Sequence, residues 1–149
     1  MSVIYSYPCT TLFWDQEKIT LSTGPVIIDK KKERVLLHLS EDTEKYQFIW
    51  GRLDDSLSFR ENALTRAQEI VGDNPITLAS SDPLILLGSI ERAWDDENIL
   101  LVHYLGTIER EDDIGEARWC TLDEVILLDS ENKTSSENVR IASMHFLLN

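Results

Sequence analysis

Apolar and polar positions along this chain repeat with two different periods, and the changes of period mark the elements. Over 59–71, Phe59, Ala63, Leu64, Ala67, Ile70 and Val71 recur at helical spacing and draw one apolar stripe. Ser58 stands at the N-cap, and Glu61 completes a capping box. Gly72 closes the helix and Pro75 prevents its restarting. Upstream, 20–28 and 34–39 read as strands around a turn at Asp29–Glu33. The polar loop Ser40–Lys45 and a short strand Tyr46–Trp50 then lead into Gly51. Downstream come a short strand, Ile76–Ala79, and a turn cluster, Ser80–Pro83. Two long strand patterns follow, Leu84–Ala93 and Asn98–Glu109, joined by an acidic tip that carries Trp94. Arg118–Cys120 is a closing strand, and Thr121 with Glu124 makes a second capping box for a helix over Leu122–Leu127. After a polar linker, Asp129–Ser136, the C-terminal segment 136–149 carries a final helix read over Val139–Leu148, with Val139, Ala142, Met144, Phe146 and Leu147 available for packing. Residues 1–19 are too apolar for a free tail and are expected as an N-terminal arm or extra strand.

Composition adds bounds. The chain has 149 residues, enough for a single domain over 1–149 with a real core. Its net charge of −13 repels phosphate backbones, so nucleic acid is an unlikely partner class. A basic patch at Lys30–Lys32 with Arg34 is read first as a charged hairpin turn. Cys9 and Cys120 make no disulfide or metal pattern and fit a reducing compartment, cytoplasmic or nuclear. No apolar run approaches a membrane span, and the first residues lack the pattern of a secretion signal.

The order of the pieces resembles the Nudix hydrolase family over roughly residues 20–128. Its signature is a glycine, five residues, a glutamate, seven residues, then R-E-U-x-E-E-x-G-U, where U is bulky and apolar. Laid on this chain from Gly51, the glycines fall on Gly51 and Gly72 and one glutamate on Glu69. The other fixed letters fall on Leu57, Thr65, Arg66 and Ile70. Ser22-x-Gly24, Trp50-Gly51 and Glu116-x-x-Trp119 strengthen the likeness. The resemblance implies a Nudix-type α/β/α sandwich with a mixed β-sheet. For an active member it implies magnesium or manganese on the helix glutamates, and hydrolysis of a nucleoside diphosphate linked to another group.

The substituted letters change that expectation. Positions 66, 69 and 70 share one helix face. Here that face carries Arg66, Glu69 and Ile70, so its formal charge is zero where the family pattern is strongly negative. Hard cations need several oxygen ligands, so no metal and no cofactor is expected, with Mg or Mn only if the protein is catalytically active. The residual catalytic candidates are Glu69 and Glu116, with Asp112 and Asp113 nearby in the acidic loop Glu109–Glu116. Arg66, Arg52 and Glu69 are the candidates for touching a ligand. The bland alternative is a solvated Arg66–Glu69 pair worth about 0.2–0.5 kcal/mol. Trp94 and Phe146 are the candidate anchors for a protein partner. His103 reads as a strand histidine with a local hydrogen bond. The leading expectation is a non-catalytic adaptor or complex subunit. A metal-independent sensor of a nucleotide or nucleotide sugar, and a divergent hydrolase of nucleoside diphosphate derivatives, are the alternatives.

Overall fold

The computed structural model describes residues 11–14, 17–79, 84–91 and 96–147. In chain order the elements begin with β1 (Thr11–Trp14), β2 (Glu17–Asp29), β3 (Arg34–Leu39), β4 (Tyr46–Gln47) and β5 (Gly51–Arg52). Next come α1 (Phe59–Val71), β6 (Ile76–Leu78), β7 (Leu84–Glu91), β8 (Asp96–Ile108) and β9 (Arg118–Thr121). Two helices, α2 (Leu122–Ser130) and α3 (Ser136–Leu147), close the described chain.

β2 and β8 form the spine of the sheet, running parallel from Ile19 opposite Asn98 to Ile27 opposite Gly106. β1, β5 and β3 pair antiparallel with β2. β7 and β6 pair antiparallel with β8. β3 in turn pairs with β4 and β9. The sheet is therefore mixed.

Why β2 and β3 carry continuous apolar runs follows from what lies on each face. Along a strand, alternate side chains point to opposite sides. Val26 and Ile28 of β2, with Val35 and Leu37 of β3, pack against Val125 and Leu128 of α2 and Ile141 and Ala142 of α3. Ile27 and Leu36, one position out of phase, pack against Ala67 and Val71 of α1 on the other face. A strand buried on both faces reads as an unbroken apolar run. The architecture is the α/β/α layering that the resemblance implied.

Several boundaries differ from the periodicity. β2 begins at Glu17, and Thr11–Trp14 pairs with it as β1. Only Tyr46–Gln47 of the segment 46–50 is strand. Its end is shaped by Gly24: a Cβ there would lie 1.8 Å from the Ile49 carbonyl oxygen, so 48–50 crosses directly over the β2 backbone. α2 runs on to Ser130, and α3 starts at Ser136, ahead of the first apolar position expected to lead it. Both capping boxes are present, Ser58 with Glu61 and Thr121 with Glu124. Gly72 closes α1 at φ 68°, in the region that favours glycine. His103 is buried, with its Nδ1 3.3 Å from the Gly24 carbonyl oxygen. Among the described residues, no helix is long and apolar enough to cross a membrane.

Candidate functional site

A cleft of about 970 Å³ opens at the end of the sheet where β3, β5 and α1 meet. One wall is His38 and Leu39 of β3 with the loop behind them, Ser40 to Thr43. Trp50, Gly51 and Arg52 form the base, and Arg66, Glu69 and Ile70 present one face of α1. Gly115 and Glu116 close the far side.

Two buried asparagines hold the loops that flank α1. Asn62, in the first turn, has no exposed surface. Its side-chain amide donates to the carbonyls of Asp54, Leu57 and Ser58, and its oxygen accepts from the Asp54 N–H at 2.8 Å. The approach to the helix from Gly51 is thereby folded back on α1. Asn74, just past the other end, is equally buried. Its amide donates to the Arg110 and Asp113 carbonyls, and its oxygen accepts from the Arg110 N–H at 3.0 Å. That fixes the acidic loop beside the cleft. Gly115 completes the contact: at φ 58°, a Cβ would meet the Ile70 carbonyl oxygen at 2.4 Å. Neither asparagine follows from apolar periodicity, and an asparagine near a helix end reads locally as a turn residue.

Arg66 dominates the floor. Its aliphatic stem lies on the Gly51 backbone, where a Cβ would come within 2.4 Å of Cδ. Its Nη1 is 3.1 Å from Glu69 Oε1. Its Nε is buried, with no acceptor among the described residues. Glu69 is about half exposed. The three positions expected to share a helix face do share it, and all three line the cleft. Arg52 and Glu116 line it too, both exposed. Asp113 turns away, into an ion pair with Arg110 at 3.2 Å. Asp54 holds the turn before α1, accepting from Ser56 Oγ and the Ser56 N–H, and those bonds keep its carboxyl below the usual aspartate range. His38 lines the opposite wall, and burial pushes its imidazole below the ordinary histidine value.

Among the described residues, no three His, Cys, Asp or Glu side chains converge to hold a metal ion. The donor set at the helix face consists of one carboxylate already paired with a guanidinium. These residues do not fit a hexacoordinate magnesium or manganese ion. In the basic turn, Lys32 pairs with Glu111 at 2.7 Å, and Arg34 pairs with Asp29 at 2.9 Å while stacking over the Trp119 ring. Of the two partner anchors read from the sequence, Trp94 lies outside the described residues. Phe146 falls within α3, and its side chain lies outside the described residues.

No family model and no curated protein matches the chain. Solved structures do. A hydrolase of the NUDIX family from Clostridium perfringens superposes with a TM-score of 0.65 at 16% identity, over 86% of this chain and 96% of that one. The Ap4A hydrolase of C. elegans gives 0.63 at 16% identity, over 87% and 98%. The E. coli dihydroneopterin triphosphate pyrophosphohydrolase gives 0.60 at 14% identity, over 87% and 96%. At such identities the shared property is the fold, and this chain has the Nudix fold.

Proposed function

We propose that this chain is a non-catalytic Nudix-fold domain that serves as a binding subunit of a protein complex. The observation that carries this reading is Arg66, whose guanidinium is ion-paired to Glu69. Glu69 is the one carboxylate of α1 that lines the cleft. In the family pattern this helix face concentrates negative charge for a divalent cation. Here an internal cation stands in that place. At about 4 Å, a guanidinium and a divalent ion repel by several kcal/mol even at an effective dielectric near 20. A metal would also have to compete with Arg66 for Glu69.

The neighbours named as hydrolases argue for activity by fold alone, and fold does not carry a site. The sensor alternative has less support than the adaptor. Arg66 is ion-paired through Nη1 to Glu69, and that carboxylate offsets the positive charge the guanidinium would offer a phosphate.

The test is hydrolysis. Purified protein is incubated with magnesium or manganese and a panel of dinucleoside polyphosphates, nucleotide sugars, ADP-ribose and nucleoside triphosphates. Glu69→Gln is the control for contaminants. We expect no turnover that depends on Glu69. Turnover present in the wild type and lost in Glu69→Gln would overturn the reading.

A further inference from the structure

The cleft has apolar surface and an acidic rim, and together these specify an occupant. Leu39 is 50% exposed at its edge, and Trp50 and Ile70 lie deeper. Leu39 extends the apolar surface of Trp50 and Ile70 to the mouth of the concave site, which gives an entering apolar side chain a place to rest. The charged residues of the lining are Glu41, Asp42, Glu69 and Glu116 against Arg52 and Arg66. Arg66 and Glu69 neutralise one another at 3.1 Å, so the rim presents Glu41, Asp42 and Glu116 against Arg52 alone. The whole chain adds a net −13 behind it.

We propose that the cleft receives a basic segment of a partner protein, which seats an apolar side chain against Leu39, Trp50 and Ile70 and lays lysine or arginine side chains on Glu41, Asp42 and Glu116. This rests on the non-catalytic reading and names the partner's chemistry. The alternatives meet the same field with the wrong sign. A nucleotide, a nucleic acid and an anionic membrane are all repelled by the rim and by the chain as a whole. A second copy brings its own −13. A cationic segment is steered in, and its affinity falls with salt.

The probe is a fluorescein-labelled nonapeptide of lysine and arginine around a central leucine-tryptophan pair. An otherwise identical peptide with glutamate at the basic positions and labelled ADP are the opposite-charge arms. Anisotropy is read with wild type, with the cleft reversal Glu41→Lys/Asp42→Lys, with Leu39→Asp, and with Asp123→Lys/Glu131→Lys. The last pair makes the same charge change on α2 and just beyond it, among residues that do not line the cleft. All five substituted residues are at the surface, and each variant's Tm is measured to establish that it folds. We expect the basic peptide to bind, to weaken at least tenfold in the cleft reversal and in Leu39→Asp, and to change no more than about twofold in the control pair. NMR shifts on binding should gather at 38–42, 50–52, 66–70 and 115–116. Equal weakening by both reversals would mean attraction to a generally acidic surface and would overturn the proposal. So would tighter binding of the acidic peptide or of ADP, or no binding of the basic peptide. The hydrolysis assay on the same preparations separates the two failures. Turnover dependent on Glu69 sinks the non-catalytic reading itself; absence of both turnover and peptide binding sinks only this inference.

Discussion

Asn74 has no exposed surface, and its amide and carbonyl are both engaged by the backbone of the acidic loop. Removing that side chain strands an N–H and two carbonyls in a buried setting, at about 1–3 kcal/mol for each group left without a partner. Relaxation and water entry recover part of this, so Asn74→Ala should cost about 3 kcal/mol, or roughly 6–12 °C in Tm at this chain length. Hydrogen exchange should accelerate at Arg110 first, whose N–H donates to Asn74. The isosteric Asn74→Asp makes a sharper case. It keeps the volume but replaces a donor of two hydrogen bonds with an oxygen facing the Arg110 and Asp113 carbonyls. At neutral pH it should be no better than alanine. Facing acceptors in a buried site, that carboxyl takes a folded-state pKa above its unfolded value. Its penalty is therefore full at high pH and shrinks as pH falls through the folded pKa. Thermal melts of both variants from about pH 7 to 5 check this. A deficit in Asn74→Asp that does not narrow with acid would remove the donor role assigned to the amide.

The helix α1 is the element on which both the fold and the site depend, and the two are unequally legible. Its existence, its capping box and its glycine stop follow from Phe59, Ala63, Ala67, Val71, Ser58, Glu61 and Gly72, because all are local signals with a fixed spacing. The strands over 20–28 and 34–39 are legible for the same reason, whereas helices on both faces of the sheet were expected from the resemblance to the Nudix family. What could not be read is everything that depends on sequence-distant backbone. Asn74 reaches Arg110 and Asp113, 36 and 39 residues further along the chain. The start of α3 belongs here too: Thr134 and Asn138 both donate to the Tyr46 carbonyl, a partner remote in sequence. At the site, the shared face of Arg66, Glu69 and Ile70 was legible from helix geometry. The packing of the Arg66 stem on Gly51 was not. The internal-cation argument makes a prediction at this scale. Arg66→Glu/Ile70→Glu places three carboxylates on one face of α1, removes the guanidinium and leaves the capping unchanged. Titrated with Mn²⁺ by calorimetry, this variant should bind at least tenfold more tightly than wild type, about 1.4 kcal/mol or more. Equal affinity in the two proteins would mean that Arg66 is not what excludes the ion.

Charge acts on the molecule as a whole, and pH and salt act on it differently. His38 has its pKa lowered by burial from 6.5. Such a group favours the fold while neutral, and that contribution is lost as pH falls below its unfolded value. Glu124 is lowered from 4.5, first by the Thr121 N–H it caps and then by Thr121 Oγ1 and Arg118. Asp29 is lowered from 3.8: desolvation opposes the shift, and bonds from Arg34 and the Lys32 N–H outweigh it. Depressed carboxylates stabilise above their unfolded values and lose that as acid protonates them. Chemical denaturation should therefore show a first decline below about pH 6.5 and a steeper one below about pH 4.5, and His38→Gln should remove much of the first. Salt at neutral pH works through distance. The contact pairs, such as Lys32–Glu111 at 2.7 Å and Arg110–Asp73 at 3.2 Å, are much shorter than the Debye length of about 8 Å at physiological ionic strength. Salt weakens such pairs, but being exposed they hold the fold only weakly, so little stability is lost with them. The repulsion behind a net −13 is summed over longer separations, which salt does screen. Raising sodium chloride from about 20 to 300 mM should then raise the Tm by about 3 °C, while the same salt weakens docking of a basic segment in the cleft. The opposite signs matter, because a peptide released by unfolding would leave as Tm fell, and one released by screening leaves as Tm rises. A Tm that drops with salt would show that short-range pairs, and not the net charge, set the electrostatics of this domain.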